Sequence, residues 1–379
     1  MSEYQYYEFQ AVDRPLTETE LREVRAYSTR ARITPTSFVN EYNWGDFKGQ
    51  PAEWMERWYD AFLYLANWGS HELMLRVPAD TLDAATLRRY RGGDRASARV
   101  HGDVVILSFS SDDEDHDWWE EGGNGWLASI LPLRGELACG DLRALYLGWL
   151  LAAQDGELDD DEPEPPVPPG LKTLSGALKA FADFLRLDSA LVQVAAQNSA
   201  PMTAGPDETA LPGWIAALPE AEKTELLVRV AGAAPMAVRS ELLHRFRMAH
   251  RTDHAAAEGV RTVGELLEAA DRIAEERSRI EAEQKARERK RREREAAAAR
   301  ALHLDGLSGR DEELWDQVDC LVPTKQPQSY DQAVSLLKDL RDLAIRDRRE
   351  PAFAARLQGL RNAHAKKSSF LDRLRKALG

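Results

Sequence analysis

From Arg261 to Leu302 the chain contains no proline and a single glycine, Gly264, and consists mostly of alanine, glutamate and arginine. These three are among the strongest helix formers. The run therefore predicts one continuous helix of roughly 40 residues, about 60 Å at 1.5 Å per residue. An apolar stripe of Val263, Leu266, Leu267, Ile273 and Ile280 marks its first half. After Ile280 the stripe gives way to "EAEQKARERKRREREAAAAR". A helix without an apolar face has nothing to pack with, so mixed-sign pairs at i, i+4 spacing must support it. A long, solvent-exposed helix constrains the remainder, because the cores must lie before and after it.

The aromatic residues show where the first core is. Eight of ten tryptophans and nine of ten tyrosines precede Leu150. Large, stiff side chains suit a mixed core of strands and helices. "YQYYEFQAV" (Tyr4–Val12), Ile33–Trp44, "HELMLRV" (His71–Val77) and "DVVILSF" (Asp103–Phe109) read as strands. "PLTETELREVRAYS" opens a helix, with Thr17 and Glu20 spaced as a capping box. "PAEWMERWYDAFLYLANWG" (Pro51–Gly69) reads as a helix that is apolar nearly all round, hence buried. "DLRALYLGWLLAAQ" closes the domain as a further helix. "DGELDDDEPEPPVPPG" follows, and its composition of acids and prolines predicts a flexible linker. Beyond it "LKTLSGALKAFADFLRL" shows the 3–4 spacing of an amphipathic helix, and β-branched runs are scarce.

The reading is thus an α+β N-terminal domain followed by an all-α C-terminal half with one long exposed helix. The α+β domain spans 1–155, the acidic proline-rich linker 156–170, a helical domain 171–260, the long charged helix 261–304, and a short paired-helix, tetratricopeptide-like module 305–379. Two distant cysteines, Cys139 and Cys320, argue against a disulfide framework and suit a reducing cytoplasm. No run of 18 apolar residues suggests a membrane span, and "MSEYQYYEFQ" is unlike a secretory signal. Net charge is −14, but Arg245–Gly379 carries 29 Lys+Arg against 24 Asp+Glu. An acidic partner or a nucleic acid would therefore meet the C-terminal third.

Two resemblances follow from particular stretches. A tryptophan helix around Trp315, then Lys325, Tyr330, Asp331, "AVSLLKDLRDLA", Phe353, "RLQGLRNAH" and "FLDRL" resembles the C-terminal helical tail of bacterial SWIM zinc-finger family proteins. "YQYYEFQAVDRPLT" and "TPTSFVNEYNWGDFKG" resemble an uncharacterised bacterial family. The Cys-x-Cys and Cys-x-His of a SWIM element are absent from the sequence, so no zinc is implied. The resemblance implies a bacterial protein with a helical docking module whose framework is Trp315, Tyr330, Leu337 and Phe353.

Several stretches could carry chemistry. Ser110–Gly123 gathers carboxylates around His116, but EF-hand spacing fails because Trp118 stands where glycine is needed. Arg245 and His250 have a spacing found in HEPN-type ribonucleases; a basic surface of Arg245, Arg247 and Arg251 explains them as well. "KARERKRRERE" offers Arg287, Lys290, Arg291, Arg292 and Arg294 to phosphates, although no aromatic is interleaved for base stacking. Glu41, Asn43 and Asp46 form a candidate functional surface in the N-terminal domain, with Phe38, Tyr42 and Trp44 on the core-like face of the same strand. No phosphate-binding loop, dinucleotide fingerprint, nucleophile elbow or His-Glu-x-x-His occurs.

The expected function is a non-catalytic cytoplasmic scaffold or adaptor that docks partner proteins, such as products of neighbouring genes, through its helical C-terminal half. No cofactor and no metal are expected. The alternative is a nucleic-acid-associated accessory protein using the basic helix around 285–300. An enzyme with an acidic site formed by Glu41, Asp46 and Asp112–Asp117 stands last.

Overall fold

The computed structural model describes residues 3–113, 122–202, 210–231 and 261–378, with a few positions between 238 and 249. The chain divides into two compact units, Met1–Arg277 and Ser278–Gly379.

The first unit is built on a seven-stranded antiparallel sheet. Its strands are β1 (Gln5–Gln10), β2 (Arg32–Thr34), β3 (Ser37–Tyr42), β4 (Ala61–Ala66), β5 (Ser70–Pro78), β6 (Ala96–His101) and β7 (Val104–Asp112), in spatial order β2-β3-β1-β4-β5-β7-β6. Side chains alternate across the sheet and fill two cores. One face carries Phe9, Phe38, Phe62, Met74 and Ile106 against α1 (Glu18–Arg25) and α2 (Pro51–Arg57). Trp54 of α2 is at the centre of this aromatic core, its ring 4.9 Å from both Phe9 and Phe38. The capping box at Thr17 is present, and Arg14 beside Glu20 lowers that carboxyl to about 2.

The other face carries Tyr6, Leu63, Leu73, Leu75, Val105, Leu107 and Phe109. It is covered by α4 (Trp126–Ile130), α5 (Leu133–Ala138), α6 (Arg143–Gln154), α7 (Gly176–Phe184) and α8 (Ser189–Gln197). Gly148 lets α6 approach the sheet, since a Cβ there would sit 2.5 Å from the Phe109 ring. α3 (Ala84–Arg89), capped by Asp83, lies between β5 and β6. α9 (Leu211–Ala217) and α10 (Glu220–Ala231) follow α8.

The structure differs from the sequence reading in two places here. Pro51–Gly69 is not one helix: α2 ends at Arg57, and Ala61–Ala66 is a central strand. Its apolar residues are continuous because β4 is covered on both faces, Phe62 on one and Leu63 and Leu65 on the other. Ile33–Trp44 is likewise a hairpin, β2 and β3, rather than one strand.

The expected linker, 156–170, is not a spacer and marks no boundary. Val167 and Leu171 are buried in the same core as the sheet. Pro163 forms a bridge with Thr262, the Glu164 N–H donates to the Arg261 carbonyl at 2.9 Å, and the Val263 N–H donates to the Glu162 carbonyl at 3.0 Å. The Glu164 carboxylate is fully buried and accepts from Arg261 at 2.7 and 2.9 Å and from the Tyr146 hydroxyl. Prolines hold this segment extended; its apolar residues and Glu164 fix it to the core.

The long helix, α11, runs from Val263 to Leu307. In the first unit it buries Val263, Leu266 and Ala270. From 281 to 299 every residue except Glu288 is exposed.

The second unit contains the end of α11, α12 (Asp311–Leu321), a 3₁₀ turn (Val322–Thr324), α13 (Pro327–Arg346), α14 (Glu350–Ala363) and α15 (Ser368–Leu378). In place of successive helix pairs, α12, α14 and α15 all pack on α13. Ion pairs tie α11 to α13, Arg300 to Asp339 and to Asp342 (2.6 Å) and Arg346 to Asp305 (2.7 Å), and the His303 ring contacts Asp339 at 3.0 Å.

Candidate partner-binding surfaces

The Ile33–Gly49 stretch does open onto a cleft. β3 and the turn after it line a space of 540 Å³ with Ser28, Arg30, Asn40, Glu41, Asn43 and Asp46. Trp44 lies past the strand end and is 76% exposed, so it leaves the core-like face assigned to it. Glu41, Asn43 and Asp46 are all exposed. Arg32 lies 3.9 Å from Glu41, and Gln5 Nε2 donates to Asp46 at 2.9 Å. Burial, joined by the nearby Asp46 charge, raises the Tyr42 phenol above its usual range, so it stays a hydrogen-bond donor. An open, polar cleft with a projecting indole can hold a ligand, and its carboxylates Glu41 and Asp46 are exposed to water.

The register separates the acids that the enzyme reading combined. Glu41 pairs with Tyr6, Tyr6 with Leu65, Leu65 with His71, and His71 with Ser111, the neighbour of Asp112. Four strand spacings place them about 19 Å apart. Arg95 Nη1 donates to Asp112 at 2.6 Å. Residues 114–117, with His116, lie outside the described residues.

Three of the four residues assigned to partner docking are core. Trp315, Tyr330 and Leu337 are buried in the second unit, and Phe353 is half-buried beside Trp315 at 5.8 Å between ring centroids. Their 3–4 spacing marks the face each helix turns inward. A shallow space of 130 Å³ adjoins Trp315, where Arg356 lies 4.8 Å above the indole ring.

The cations fare differently. Arg245 is partly buried, ion-paired with Glu222 and 6.0 Å above the Trp214 ring, so it belongs to packing. Arg247, His250 and Arg251 lie outside the described residues. On α11, Arg287, Lys290, Arg291 and Arg294 follow i, i+3, i+4, i+7 spacing and share one exposed stripe. Arg291 pairs with Glu288 (2.9 Å) and Glu295 (3.6 Å), and Arg292, on the opposite side, pairs with Glu288 (3.0 Å). Exposed pairs like these are worth little, so the stripe remains free to exchange partners.

One buried polar group escaped the sequence reading. His71 stacks on Phe184 (ring centroids 4.6 Å), with Nδ1 2.5 Å from the Phe184 carbonyl oxygen and Nε2 2.8 Å from Arg186. Nδ1–H donates and Nε2 accepts, which requires the neutral ring. Burial, helped by the Arg186 charge, lowers its pKa from 6.5 to about 4, against the opposing pull of the Phe184 carbonyl bond and of the Asp112 and Asp113 charges. Between these values the unfolded chain binds a proton that the folded one does not. The stabilisation is complete above pH 6.5 and is lost as pH falls towards 4, by up to about 3 kcal/mol at 1.36 kcal/mol per unit. His71→Gln is expected to flatten the dependence of first-unit unfolding on pH between 4 and 6.5; an unchanged slope would assign it to other groups. The adjacent Glu72 gave no sequence signal for this contact, since Phe184 lies 113 positions away.

Among the described residues no group of three or more His, Cys, Asp or Glu is placed to hold a metal, and no helix is long and apolar enough to cross a membrane. Compared with known proteins, the chain matches no family model, and no curated sequence or solved structure is significantly similar to it.

Proposed function

We propose that the protein is a non-catalytic adaptor that docks partner proteins through its helical C-terminal half, with the stripe Arg287, Lys290, Arg291 and Arg294 as the contact. One observation carries this reading: from 281 to 299 the helix has no packed face, yet it presents four cations on one side. A surface that packs against nothing is available to an acidic partner, and complementary charge speeds encounter and sets register. Products of neighbouring genes are the first partners to test. The likeness of the last stretch to SWIM-protein tails agrees with a docking role.

A second reading uses the same stripe to follow a nucleic-acid backbone. The two give different results. The full chain is expected to capture a protein from native lysate that R287E/K290E/R294E does not. Should a 30-bp duplex bind instead, with log K falling against log[salt] at a slope of about −3.6 for four phosphates, the partner is nucleic acid. Equal capture by both forms would sink the adaptor proposal.

A further inference from the structure

β6 is an outer strand of the sheet, and among the described residues nothing pairs with its far side beyond Ala96. β6 and β7 form a hairpin closed by Gly102 and Asp103, with Gly102 at φ +57°. In a two-residue hairpin the pair His101–Val104 exchanges both backbone hydrogen bonds, and bonded pairs then alternate along the ladder. Arg99 and Ser97 are therefore bonded to β7, as is Arg95, whose carbonyl accepts from the Ser110 N–H at 3.0 Å. Ala96, Ala98 and Val100 point their N–H and C=O groups outward. Ala96 uses its pair on Gly92, at 2.8 and 2.9 Å. Ala98 and Val100 present two N–H and two C=O groups to solvent.

The side chains beside this open edge are unlike an edge built only to avoid pairing. Ala96, Ala98 and Val100 lie on the α6 side, opposite Phe109, Leu107 and Val105. Two alanines leave room, and a groove of 300 Å³ opens there, floored by Leu107, Phe109 and Leu145 and walled by Leu87 and Tyr90. Val100 is 61% exposed. Arg88 and Arg91 also line the groove, and both are exposed. No ion pair engages either one among the described residues. This cationic rim stands out in a chain whose net charge is −14. Arg99 and His101 point to the opposite face, towards Glu56 at 3.4 and 3.7 Å.

We propose that the β6 edge takes an extended acidic peptide as an added strand. Its backbone pairs with Ala98 and Val100, and its alternate side chains on the α6 side supply both the apolar groups that enter the groove and the carboxylates that meet Arg88 and Arg91 at its rim. Backbone pairing supplies affinity and alternate-side-chain pockets supply selectivity, as in other strand-addition sites. The rim selects the sign of the peptide. A second copy of this chain would bring a second cationic edge against the first, and like charges oppose that pairing. The site belongs to the first unit and does not depend on the helical stripe.

The test uses the full chain and a fluorescent, end-capped peptide of about ten residues in which serine alternates with valine and glutamate in turn (Ser-Val-Ser-Glu repeated), so that valines and glutamates share one face, long enough for one strand. Anisotropy is expected to saturate, and the counterpart with lysine in place of glutamate is expected not to bind. Ala98→Pro deletes an outward N–H while sparing the β6–β7 bonds, and is expected to weaken binding at least about tenfold. Arg88→Glu with Arg91→Glu should weaken it similarly and decides the matter if the proline variant does not fold. Hydrogen exchange at Ala98 and Val100 should be fast alone and slowed by peptide. No saturable binding, or binding unaltered in a folded Ala98→Pro chain, overturns the proposal. So does a concentration-dependent dimer that Ala98→Pro abolishes, because the occupant is then a second copy.

Discussion

Glu164→Ala is expected to destabilise the first unit by about 3–5 kcal/mol, the range for a buried ion pair that loses one partner. Glu164 has no exposed side-chain surface and holds Arg261 in a two-pronged contact at 2.7 and 2.9 Å. Removing it leaves the guanidinium, among the described residues, with the Val194 and Ala195 carbonyls and strands the Tyr146 hydroxyl in the core. Urea unfolding followed by tryptophan fluorescence measures the loss, because most tryptophans belong to this unit. Glu164→Gln, which keeps an acceptor, should cost less. A loss under about 1 kcal/mol for Glu164→Ala would mean that 156–170 is not fixed through this residue.

The second large effect concerns Leu337, fully buried on α13 where α12, α14 and α15 converge. Leu337→Ala removes three heavy atoms from a packed core and is expected to cost about 2–5 kcal/mol. The second unit should lose its melting transition or show it well below that of the wild type. This result bears on function, because a Leu337→Ala chain that fails to capture a partner has lost a fold, not a contact. The stripe variants R287E/K290E/R294E change exposed residues only and should leave melting within about 0.5 kcal/mol of wild type. If Leu337→Ala melts normally yet loses capture, Leu337 is a contact residue after all.

The sequence conveyed local geometry better than tertiary destination. The α+β arrangement, the 45-residue helix and the Thr17 capping box were legible because each depends on neighbours within a few residues. The strand Ala61–Ala66 was hidden because burial on both faces erases the alternation that marks a strand. β6 was hidden for the opposite reason: five of its six residues are exposed, so no apolar pattern exists. The Gly102–Asp103 turn after it was the available sign. Residues 156–170 have a linker's composition, and the burial of Val167 with pairings about 100 positions distant, Glu164 to Arg261 and Pro163 to Thr262, reveals that they are anchored. Trp315, Tyr330 and Leu337 stood out as large apolar residues at helical spacing, and that spacing is the mark of a core. The candidate surfaces that remain, an exposed cationic stripe and an unpaired sheet edge, depend on exposure, which a sequence shows only indirectly.

The burial of Val263, Leu266 and Ala270 against the sheet core has a consequence for synthesis. The last strand ends at Asp112, but the residues that seal the same core are made roughly 150 positions later. At the usual 5–20 residues per second, the ribosome takes roughly 8–30 s to cover that interval. Throughout it the nascent sheet has one incompletely covered apolar face. The first unit therefore cannot mature in the order in which it is made; it waits for the opening turns of the long helix.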